Sequence, residues 1–558
     1  MATTSTASPT STTPTDHWQV IAQRKQDARS HLLPKEWLIP QAALESYMSS
    51  PTANVINVPI ECGILTAREL EITGSHDAVS LLGMLRRGPV ERGYTAEEVA
   101  TAFCKRAAVA QQVTNCLTEI FFTSAIQRAR QLDADRAANP NTPLPRLWGL
   151  PISLKDCFQI PGVDSTIGLI HFAEKPCKSH SALPKLLLDL GALFYCKTNV
   201  PQTMMTADSD NNVFGRTLNP HNKRLTAGGS SGGEAALIAM RGSIVGIGTD
   251  IAGSIYRIPA HCCGLYGFKP SERVAPYAGQ QNPAAPGHAG ILPVAGPSAT
   301  SMRSCELIMQ TIMSHEPWKV DVNCLHIPWR GLKAPKEGNL GIGVVEDDGM
   351  LTATSPMRRA LSEAREKLEK AGMELVDIKL PNVARDIGTA WTSYSLEGCK
   401  TVLDYIAAAD EPLVESVKRI GLVWMPAKSL HDLFAWNVAR ENAETAYRNL
   451  WLENKLDAIL TPLAPYTAPP IDCWSAVGLA LWNLVDYPSC IIPVGKVEER
   501  DVVDHAAKYG ENDDKVYSMY TGPENYKDAP TTIQLVGMKQ EDERLAVIAV
   551  IVDNILIA

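Results

Sequence analysis

The sequence contains no uninterrupted apolar run of 18 residues, the length that a membrane-spanning helix requires. Basic residues are not gathered into runs and the formal net charge is −9, so we expect neither nucleic acid nor an anionic membrane surface as a partner. His-Glu-x-x-His and paired Cys-x-x-Cys motifs are missing, and the grouping of His171, Cys177 and His180 is better explained as a loop coincidence than as a ligand set. These absences argue against membrane, nucleic-acid and zinc-enzyme classes, and we expect no metal and no cofactor.

The cysteine pattern argues against a secreted, disulfide-rich protein. The thirteen cysteines are scattered and odd in number, and two of them, Cys262 and Cys263, are adjacent, which does not suit a disulfide framework. We therefore expect free thiols in a reducing compartment and predict a cytoplasmic location. Residues 1–16 are mainly Ser, Thr and Pro and lack the apolar core of a signal peptide and the arginines of a transit peptide, so we expect them to be disordered.

The most informative feature that is present is a block of glycine and serine within residues 226–259. Two Gly-Gly pairs surround Ser230 and Ser231, a short apolar segment follows, and a second glycine-rich turn ends at Gly253-Ser254. Glycine lets the backbone approach a ligand closely. A serine in such a turn exposes its hydroxyl beside backbone N–H groups, which combines a nucleophile with an oxyanion hole.

A lysine upstream of this block is a candidate base. Residues 149–156, Gly-Leu-Pro-Ile-Ser-Leu-Lys-Asp, predict a mostly apolar strand that ends at Lys155. Burial there would lower the pKa of the amine, and only the neutral amine can accept a proton. Considered alone, a solvated lysine at a strand end is the simpler interpretation. Beside the glycine–serine block, the buried base is favoured.

Other interpretations of the glycine–serine block agree less well with its surroundings. A flexible linker would not be followed directly by the apolar segment 235–240. A P-loop needs Gly-Lys-Ser/Thr where Gly-Gly-Glu stands, and Ile251 takes the third glycine position of a dinucleotide fingerprint. The nucleophile elbow of α/β-hydrolases fits Gly228–Gly232 formally, and later histidines are available. This alternative stays open, although no strand is evident before the elbow.

These segments together resemble the amidase signature family, specifically its branch of fungal acetamidases and fatty-acid-amide-hydrolase-like enzymes. The resemblance extends from about residue 60 to the end of the sequence, and the glycine–serine block is its most specific part. The matching strings are GLPISLKD at 149–156, KTNVPQTM at 197–204, FGRTLNP at 214–220, AGGSSGGEAALIA at 227–239, GIGTDIAGS at 246–254 and GLYGFKPS at 264–271.

The resemblance implies a hydrolase that cleaves linear carboxamides through an acyl-serine intermediate and a Ser-Ser-Lys triad. It makes Ser254 the nucleophile, Ser230 the bridging serine and Lys155 the base that takes the proton of Ser254 through Ser230. It also implies a cis peptide bond between Gly229 and Ser230. It implies that the oxyanion hole is formed by the backbone N–H groups of Ile251, Ala252, Gly253 and Ser254. Met204 would line the substrate pocket, and Asp250, Ser231 and Arg257 would be supporting side chains.

Two positions depart from the family pattern. Ala252 stands where the family mostly has glycine, which is harmless unless the site requires a positive φ, and we favour the harmless case. The usual Ser-Ile-Arg-Ile-Pro run is lengthened here by one residue, Tyr256, between Ser254 and Arg257. We expect a local bulge there rather than a register shift that would separate Arg257 from its carboxylate, because the family sequence resumes at Ile258.

The fold class that the element pattern predicts is α/β: a single α/β/α layered domain with a mixed, twisted central sheet. We assign residues 61–558 to this domain, with its signature core at about 149–271, and residues 17–60 to a helical N-terminal extension. A helix capped by Ser355 and ended by Gly372 is predicted from its apolar stripe. Further strands and helices are predicted at 192–197, 245–248 and 340–345, and at 17–48, 95–138, 385–408 and 428–454.

The expected partner is a small-molecule amide substrate, and the sequence is compatible with a homodimer. Two other functions stay open. One is a catalytically weak or silent relative that acts by binding, which the extra Tyr256 motivates. The other is a glutamine-amidotransferase-type subunit, which would need partner proteins and an ammonia tunnel that nothing in the sequence indicates.

Overall fold

A computed structural model describes residues 17–254, 257–333, 340–474, 480–505 and 518–558. Residues 1–16 and Tyr256, which carried two of the expectations above, lie outside these ranges. The described strands are β1 (Leu117–Ile120), β2 (Pro151–Lys155), β3 (Leu193–Thr198), β4 (Val245–Asp250), β5 (Tyr266–Lys269), β6 (Val294–Ala299), β7 (Gly341–Val344), β8 (Glu374–Asp377), β9 (Ala458–Thr461), β10 (Ser489–Lys496) and β11 (Pro530–Val536).

All eleven strands belong to one sheet, in the order β1-β3-β2-β4-β6-β5-β10-β11-β9-β7-β8. Pairing is parallel where β2 lies between β3 and β4, and where β7 lies between β8 and β9. The other six neighbouring pairs are antiparallel. The sheet is therefore mixed, as predicted, and β2 and β4 are adjacent in it.

The described helices are α1 (Trp18–His31), α2 (Gln41–Met48), α3 (Val58–Glu61), α4 (Ala67–Gly74), α5 (Ala78–Arg87), α6 (Ala96–Thr114), α7 (Phe122–Ala138), α8 (Ala182–Asp189), α9 (Gly232–Ala239), α10 (Ile258–Cys263), α11 (Met302–Ser314), α12 (Ser355–Lys370), α13 (Val383–Tyr394), α14 (Lys400–Ala408), α15 (Glu415–Ile420), α16 (Leu430–Glu453), α17 (Leu481–Leu484) and α18 (Asp542–Ile557). None of them combines the length and the apolarity needed to cross a bilayer.

Helices cover the sheet on both faces. Every residue of β2, β3, β4 and β11 is buried. Because successive side chains of a strand point to opposite faces, a strand buried at every position must be covered on both. Helices α6 and α9 contact β2 and β3, α9 also contacts β4, and α11, α12 and α18 pack against the middle of the sheet. The predicted α/β/α architecture is confirmed.

The predicted helical stretch 95–138 is two helices with a strand between them. The four residues of β1 separate α6 from α7 and pair antiparallel with β3 at the edge of the sheet. A strand this short, between two amphipathic helices, leaves no period-two pattern that the sequence would show. The predicted helical pattern is therefore found in α6 and α7, and the prediction missed the strand between them.

The predicted helix 385–408 is likewise divided, into α13 and α14. Gly398 and Cys399 between them have φ values of 65° and 53°, which helical residues cannot adopt. The predicted cap of α12 was one residue late, because Ser355 is already helical and Thr354 takes the cap position. The predicted buried stripe of α12 is confirmed: Met357, Ala360, Leu361, Ala364 and Leu368.

Candidate active site

Lys155 ends β2 in the interior of the protein and is fully buried. Its Nζ lies 2.7 Å from Ser230 Oγ and 2.9 Å from Thr249 Oγ1. Burial lowers the pKa of Lys155 to about 8, although the charges of neighbours such as Asp250 favour the protonated amine. The fold thus places an amine of lowered pKa at the end of β2 against the hydroxyl of the first glycine–serine turn.

The turn that carries Ser230 is packed too closely for side chains at its glycines. The peptide bond between Gly229 and Ser230 is cis. A Cβ on Gly229 would lie 2.4 Å from Thr206 O, and one on Gly233 would lie 2.3 Å from Asn199 N. Glycine is therefore required at both positions for steric reasons, and the turn leads straight into α9.

A backbone hydrogen bond joins the two glycine–serine segments. The N–H of Ser231 donates to the carbonyl oxygen of Ser254 at 3.1 Å. The Ser231 hydroxyl is buried and has no hydrogen-bond partner within the described ranges, so its role here is carried by its backbone. Ser230 and Ser254 consequently line the same cavity, with Ser254 only 7% exposed.

Residues 251–254 follow β4 and present backbone N–H groups beside Ser254. Ala252 does not have a positive φ, so alanine is accommodated there without the penalty that a left-handed conformation would bring, whereas Gly253 has φ 111°. The Gly253 N–H donates to Asp250 Oδ1 at 2.7 Å. This N–H, one of the predicted oxyanion donors, is therefore occupied by a carboxylate in this structure. Ile251, Ala252 and Ser254 are left for that role.

A buried ion pair supports this segment from below. Arg257 Nη2 lies 3.3 Å from Asp250 Oδ1, and both side chains are almost completely inaccessible to solvent. Asn483 on α17 donates to the same Asp250 oxygen at 2.9 Å and accepts a hydrogen bond from Arg257. Burial alone would raise the pKa of Asp250, but the charges of Arg257 and Lys269 hold it below its ordinary value. Arg257 keeps its carboxylate despite the extra residue before it. Tyr256 itself lies outside the described residues.

The cavity next to the serines has a volume of about 120 Å³. Ser230, Ser254 and Thr249 lie in its wall together with apolar side chains from α14, α15 and the segments around them. Met204 faces the cavity, as does Met205, and Met204 also belongs to the main hydrophobic cluster. Met204 is therefore both a residue of the hydrophobic core and part of the cavity wall. The apolar wall includes Ile251, Ile291, Val402, Val417, Leu422 and Val423.

Four residues of the site were not predicted. Thr249 hydrogen-bonds Lys155, Asn483 hydrogen-bonds Asp250, and Tyr394 on α13 donates its hydroxyl to the Ile251 carbonyl at 2.6 Å. Glu234, in the first turn of α9, is buried beside the site. Thr249 and Glu234 lie inside the family strings and could have been noticed there. Asn483 and Tyr394 come from distant parts of the chain and carry no local signal.

The histidines and cysteines near the site have structural surroundings of their own. Within the described ranges, no group of three or more His, Cys, Asp or Glu side chains is arranged to hold a metal ion. His171 stacks on Tyr405, with ring centroids 4.8 Å apart. The thirteen cysteines are all free thiols. The chemistry that this site can perform rests on its lysine, its hydroxyls and its backbone N–H groups.

Known proteins resemble this chain over almost its whole length. The sequence profile of the family described as Amidase matches residues 98–546. An "Amidase" of Gibberella moniliformis is 36% identical over 542 residues, which cover 95% of this chain and 97% of that protein. An "Acetamidase" of Emericella nidulans is 34% identical and covers 97% of this chain and 98% of its own. Among solved structures, "Fatty acid amide hydrolase" has a TM-score of 0.90 at 29% identity, covering 97% of this chain and 95% of that one.

Proposed function

Because the chain belongs to the amidase signature family of amide hydrolases, we propose that it cleaves its substrate through an acyl-enzyme on Ser254, with Ser230 and Lys155 as the proton relay. The observation that carries the proposal is the 2.7 Å contact between the buried Lys155 Nζ and Ser230 Oγ. An amide is a poor electrophile, so its hydrolysis needs an activated nucleophile, a stabilised oxyanion and a proton for the leaving nitrogen.

The contacts of Lys155 suit a neutral amine acting as the base. A neutral amine has two hydrogens and one lone pair. Thr249 Oγ1 and Thr249 O, at 2.9 and 3.4 Å from Nζ, accept the two hydrogens. The lone pair is then left for the hydroxyl hydrogen of Ser230. Ser230 in turn accepts the proton of Ser254 as Ser254 attacks the substrate carbonyl carbon.

The tetrahedral intermediate places a negative charge beside the N–H groups of Ile251, Ala252 and Ser254. Such donors stabilise an oxyanion strongly because they are fixed before the reaction begins. Tyr394, Asp250 and Asn483 hold the backbone from which these N–H groups project. The proton returns through Ser230 to the leaving nitrogen, the C–N bond breaks, and water repeats the relay to release the acid from Ser254.

The cavity supports an uncharged, compact acyl group. Its wall is mainly apolar and its volume, about 120 Å³, is smaller than the roughly 150 Å³ of an engineered cavity that binds benzene. We propose short aliphatic or small aromatic acyl amides as substrates. The names of the relatives, acetamidase and fatty acid amide hydrolase, refer to a short and a long acyl group. Acyl length is therefore the substrate property to vary in the test.

Two experiments test this function. A fluorophosphonate probe should label the wild-type protein at Ser254 and leave Ser254→Ala unlabelled. Hydrolysis of acetamide, an anilide of a short acid and a long-chain primary amide, followed by mass spectrometry, should give the highest kcat/KM for the compact acyl groups. Absence of both labelling and turnover would favour the silent binding relative. Hydrolysis that requires a co-purified partner would favour the amidotransferase-type subunit.

The pH dependence follows from the state of Lys155. The amine must be neutral to act as a base, and its pKa is lowered to about 8. Below that pH it becomes protonated, so kcat/KM should fall about tenfold for each further pH unit, and above it kcat/KM should level off. The measurement is a kcat/KM profile on a neutral amide.

The residual activity of Lys155→Ala should lack this acid limb. Lys223 offers a matched control, since burial lowers the pKa of its amine too but its Nζ donates to Met48 O, away from the site. Lys223→Ala should keep the limb. An unchanged limb in Lys155→Ala would assign the titration to another group.

Three broader expectations accompany the enzymatic proposal. We propose a cytoplasmic location, which the thirteen free thiols support. We also propose that residues 61–558 form the catalytic domain with 17–60 as its extension, and that the protein can associate as a homodimer without nucleic acid. Light scattering coupled to size exclusion measures the last of these directly.

A further inference from the structure

Glu234 is a carboxyl group in the interior, and its hydrogen-bond partners among the described residues include no cation. It lies in the first turn of α9, four residues after Ser230, and is 1% exposed. Within the described ranges it forms no ion pair. Its partners are two hydroxyls, Ser153 Oγ at 2.5 Å from Oε2 and Thr198 Oγ1 at 3.0 Å from Oε1. An ionised carboxylate in such a place would lack the charge compensation that buried charges require.

The series of oxygen–oxygen contacts that leads away from Glu234 has one more contact than it has serine hydroxyl hydrogens. Ser153 Oγ lies 2.5 Å from Glu234 Oε2 and 2.8 Å from Ser243 Oγ, and Ser243 Oγ lies 2.9 Å from Val245 O. These are three contacts, and the two serines have one hydroxyl hydrogen each. The nearby Tyr195 hydroxyl uses its hydrogen on Gly242 O. With an ionised Glu234, one pair of oxygens would face each other without a hydrogen.

A proton on Glu234 fills all three contacts. Oε2–H then donates to Ser153 Oγ, Ser153 donates to Ser243 Oγ, and Ser243 donates to Val245 O. The other carboxyl oxygen, Oε1, still accepts from Thr198. Every donor and acceptor in the chain is satisfied, as buried polar groups in proteins nearly always are.

This chain of hydrogen bonds lies directly under the proposed base. Ser153 and Lys155 are two residues apart on β2, so their side chains leave the same face of the strand. Thr198, the second partner of Glu234, is paired with Lys155 in the register of β2 and β3. Glu234 thus bridges the positions that flank Lys155 on two neighbouring strands.

We propose that Glu234 is a neutral carboxylic acid in the form of the enzyme whose Lys155 acts as the base, and that it is a positioning residue that adds no negative charge beside that amine. The proposal rests on the role of Lys155 proposed above. A negative charge at Glu234 would favour the ammonium form of Lys155 and remove the base. The protonated acid holds the same hydrogen bonds without that charge.

The titratable groups that face Glu234 are consistent with this state. They are Lys155 on β2, Tyr195 and Cys196 on β3, and Cys116 after α6. Burial raises the pKa of Tyr195, Cys196 and Cys116 far enough to keep all three neutral near pH 7. Burial also raises the pKa of Glu234 above its ordinary value, while its hydroxyl partners and Lys155 oppose the rise. Lys155 and Glu234 are thus the two groups of the set whose charge can change.

The strand on the other side is shaped to admit the carboxyl group. A Cβ on Gly246 of β4 would lie 2.0 Å from Glu234 Oε2. Glycine at that position is therefore required for the carboxyl to reach Ser153. Gly246 is the first residue of the family string at 246–254, and the close approach of the Glu234 carboxyl group is a steric reason for glycine there.

Infrared spectroscopy of carboxyl groups tests the protonation state without reference to activity. At pH 6, where an ordinary glutamate of pKa about 4.3 is ionised, the wild-type protein should show a protonated-acid C=O band that is absent from Glu234→Gln. Glu45 on the exposed side of α2 offers a matched control, and Glu45→Gln should leave the band in place. Ser153→Ala keeps the acid and removes its acceptor, so the band should persist at a shifted frequency. A wild-type spectrum with no such band at pH 6 overturns the proposal.

The pH profile tests the consequence for Lys155. Because glutamine has the shape of the protonated acid and also donates to Ser153, Glu234→Gln should leave the acid limb of kcat/KM where it is in the wild type. If Glu234 were ionised, the same substitution would remove a negative charge and move the limb to lower pH by a unit or more. A protein that shows the band but hydrolyses no amide would contradict the proposed function and leave the protonation of Glu234 standing.

Discussion

Replacing Ser254 with alanine is expected to lower kcat by on the order of 10⁶-fold, because the substitution removes the oxygen that the proposed mechanism acylates. Lys155→Ala and Ser230→Ala should each lower kcat by about 10²- to 10⁴-fold, the contribution usual for a proton-transferring group. The double variant Lys155→Ala/Ser230→Ala should be scarcely slower than either single variant. Their Nζ and Oγ atoms are 2.7 Å apart, and a relay broken at one link gains nothing from the other.

Single-turnover and steady-state kinetics on the same amide measure these losses. Ser489→Ala is a suitable control, since its hydroxyl is also buried but has no hydrogen-bond partner within the described ranges, and kcat should be unchanged. If the two single losses multiply in the double variant, Lys155 and Ser230 act independently and the relay is wrong.

Replacing Arg257 with methionine is expected to cost about 3–5 kcal/mol in the free energy of unfolding, the usual effect of removing one partner of a buried ion pair. Asp250 would keep its hydrogen bonds from Gly253 and Asn483 but would lose its cation. The loss is measured by urea denaturation followed by circular dichroism, provided that unfolding is reversible.

Two further variants separate the ion pair from general effects of the substitution. Arg130→Met removes the partner of Glu97 on the surface, where both side chains are largely exposed, and should cost about 0–1 kcal/mol. Adding Asp250→Asn to Arg257→Met removes the uncompensated charge and should restore part of the lost stability. If Arg257→Met costs no more than the surface variant, the ion pair does not stabilise residues 251–254.

Short segments of the sequence were enough to predict which side chains meet at the candidate site. Lys155 ends one predicted strand and Ser254 follows another, and these strands, β2 and β4, are neighbours in the sheet. Ser230 lies in a turn between two Gly-Gly pairs, so the local sequence already indicated its position. The structure adds the steric reason for these glycines. The α/β class followed from the alternation of strands and helices along the chain.

The remaining contacts could not be predicted because they depend on how distant segments meet. Asn483 reaches Asp250 from α17, and Tyr394 reaches Ile251 from α13. The direction of the Gly253 N–H depends on the position of the Asp250 carboxylate, so no residue pattern indicates that this donor is occupied. The hydrogen-bond chain at Glu234 likewise needs two strands in register before it exists.

Tyr394 has a consequence for how new specificities could arise in this protein. The same residue lines the cavity beside Ser230 and Ser254 and donates its hydroxyl to the carbonyl of Ile251, three residues before Ser254. A substitution on α13 that enlarges the cavity would also shift the backbone that orients the oxyanion donors. Selection for a larger substrate would therefore act on turnover at the same time. Variants that change substrate size alone should arise first on α14 and α15. The cavity-lining side chains of these two helices are apolar and donate no hydrogen bond to residues 251–254.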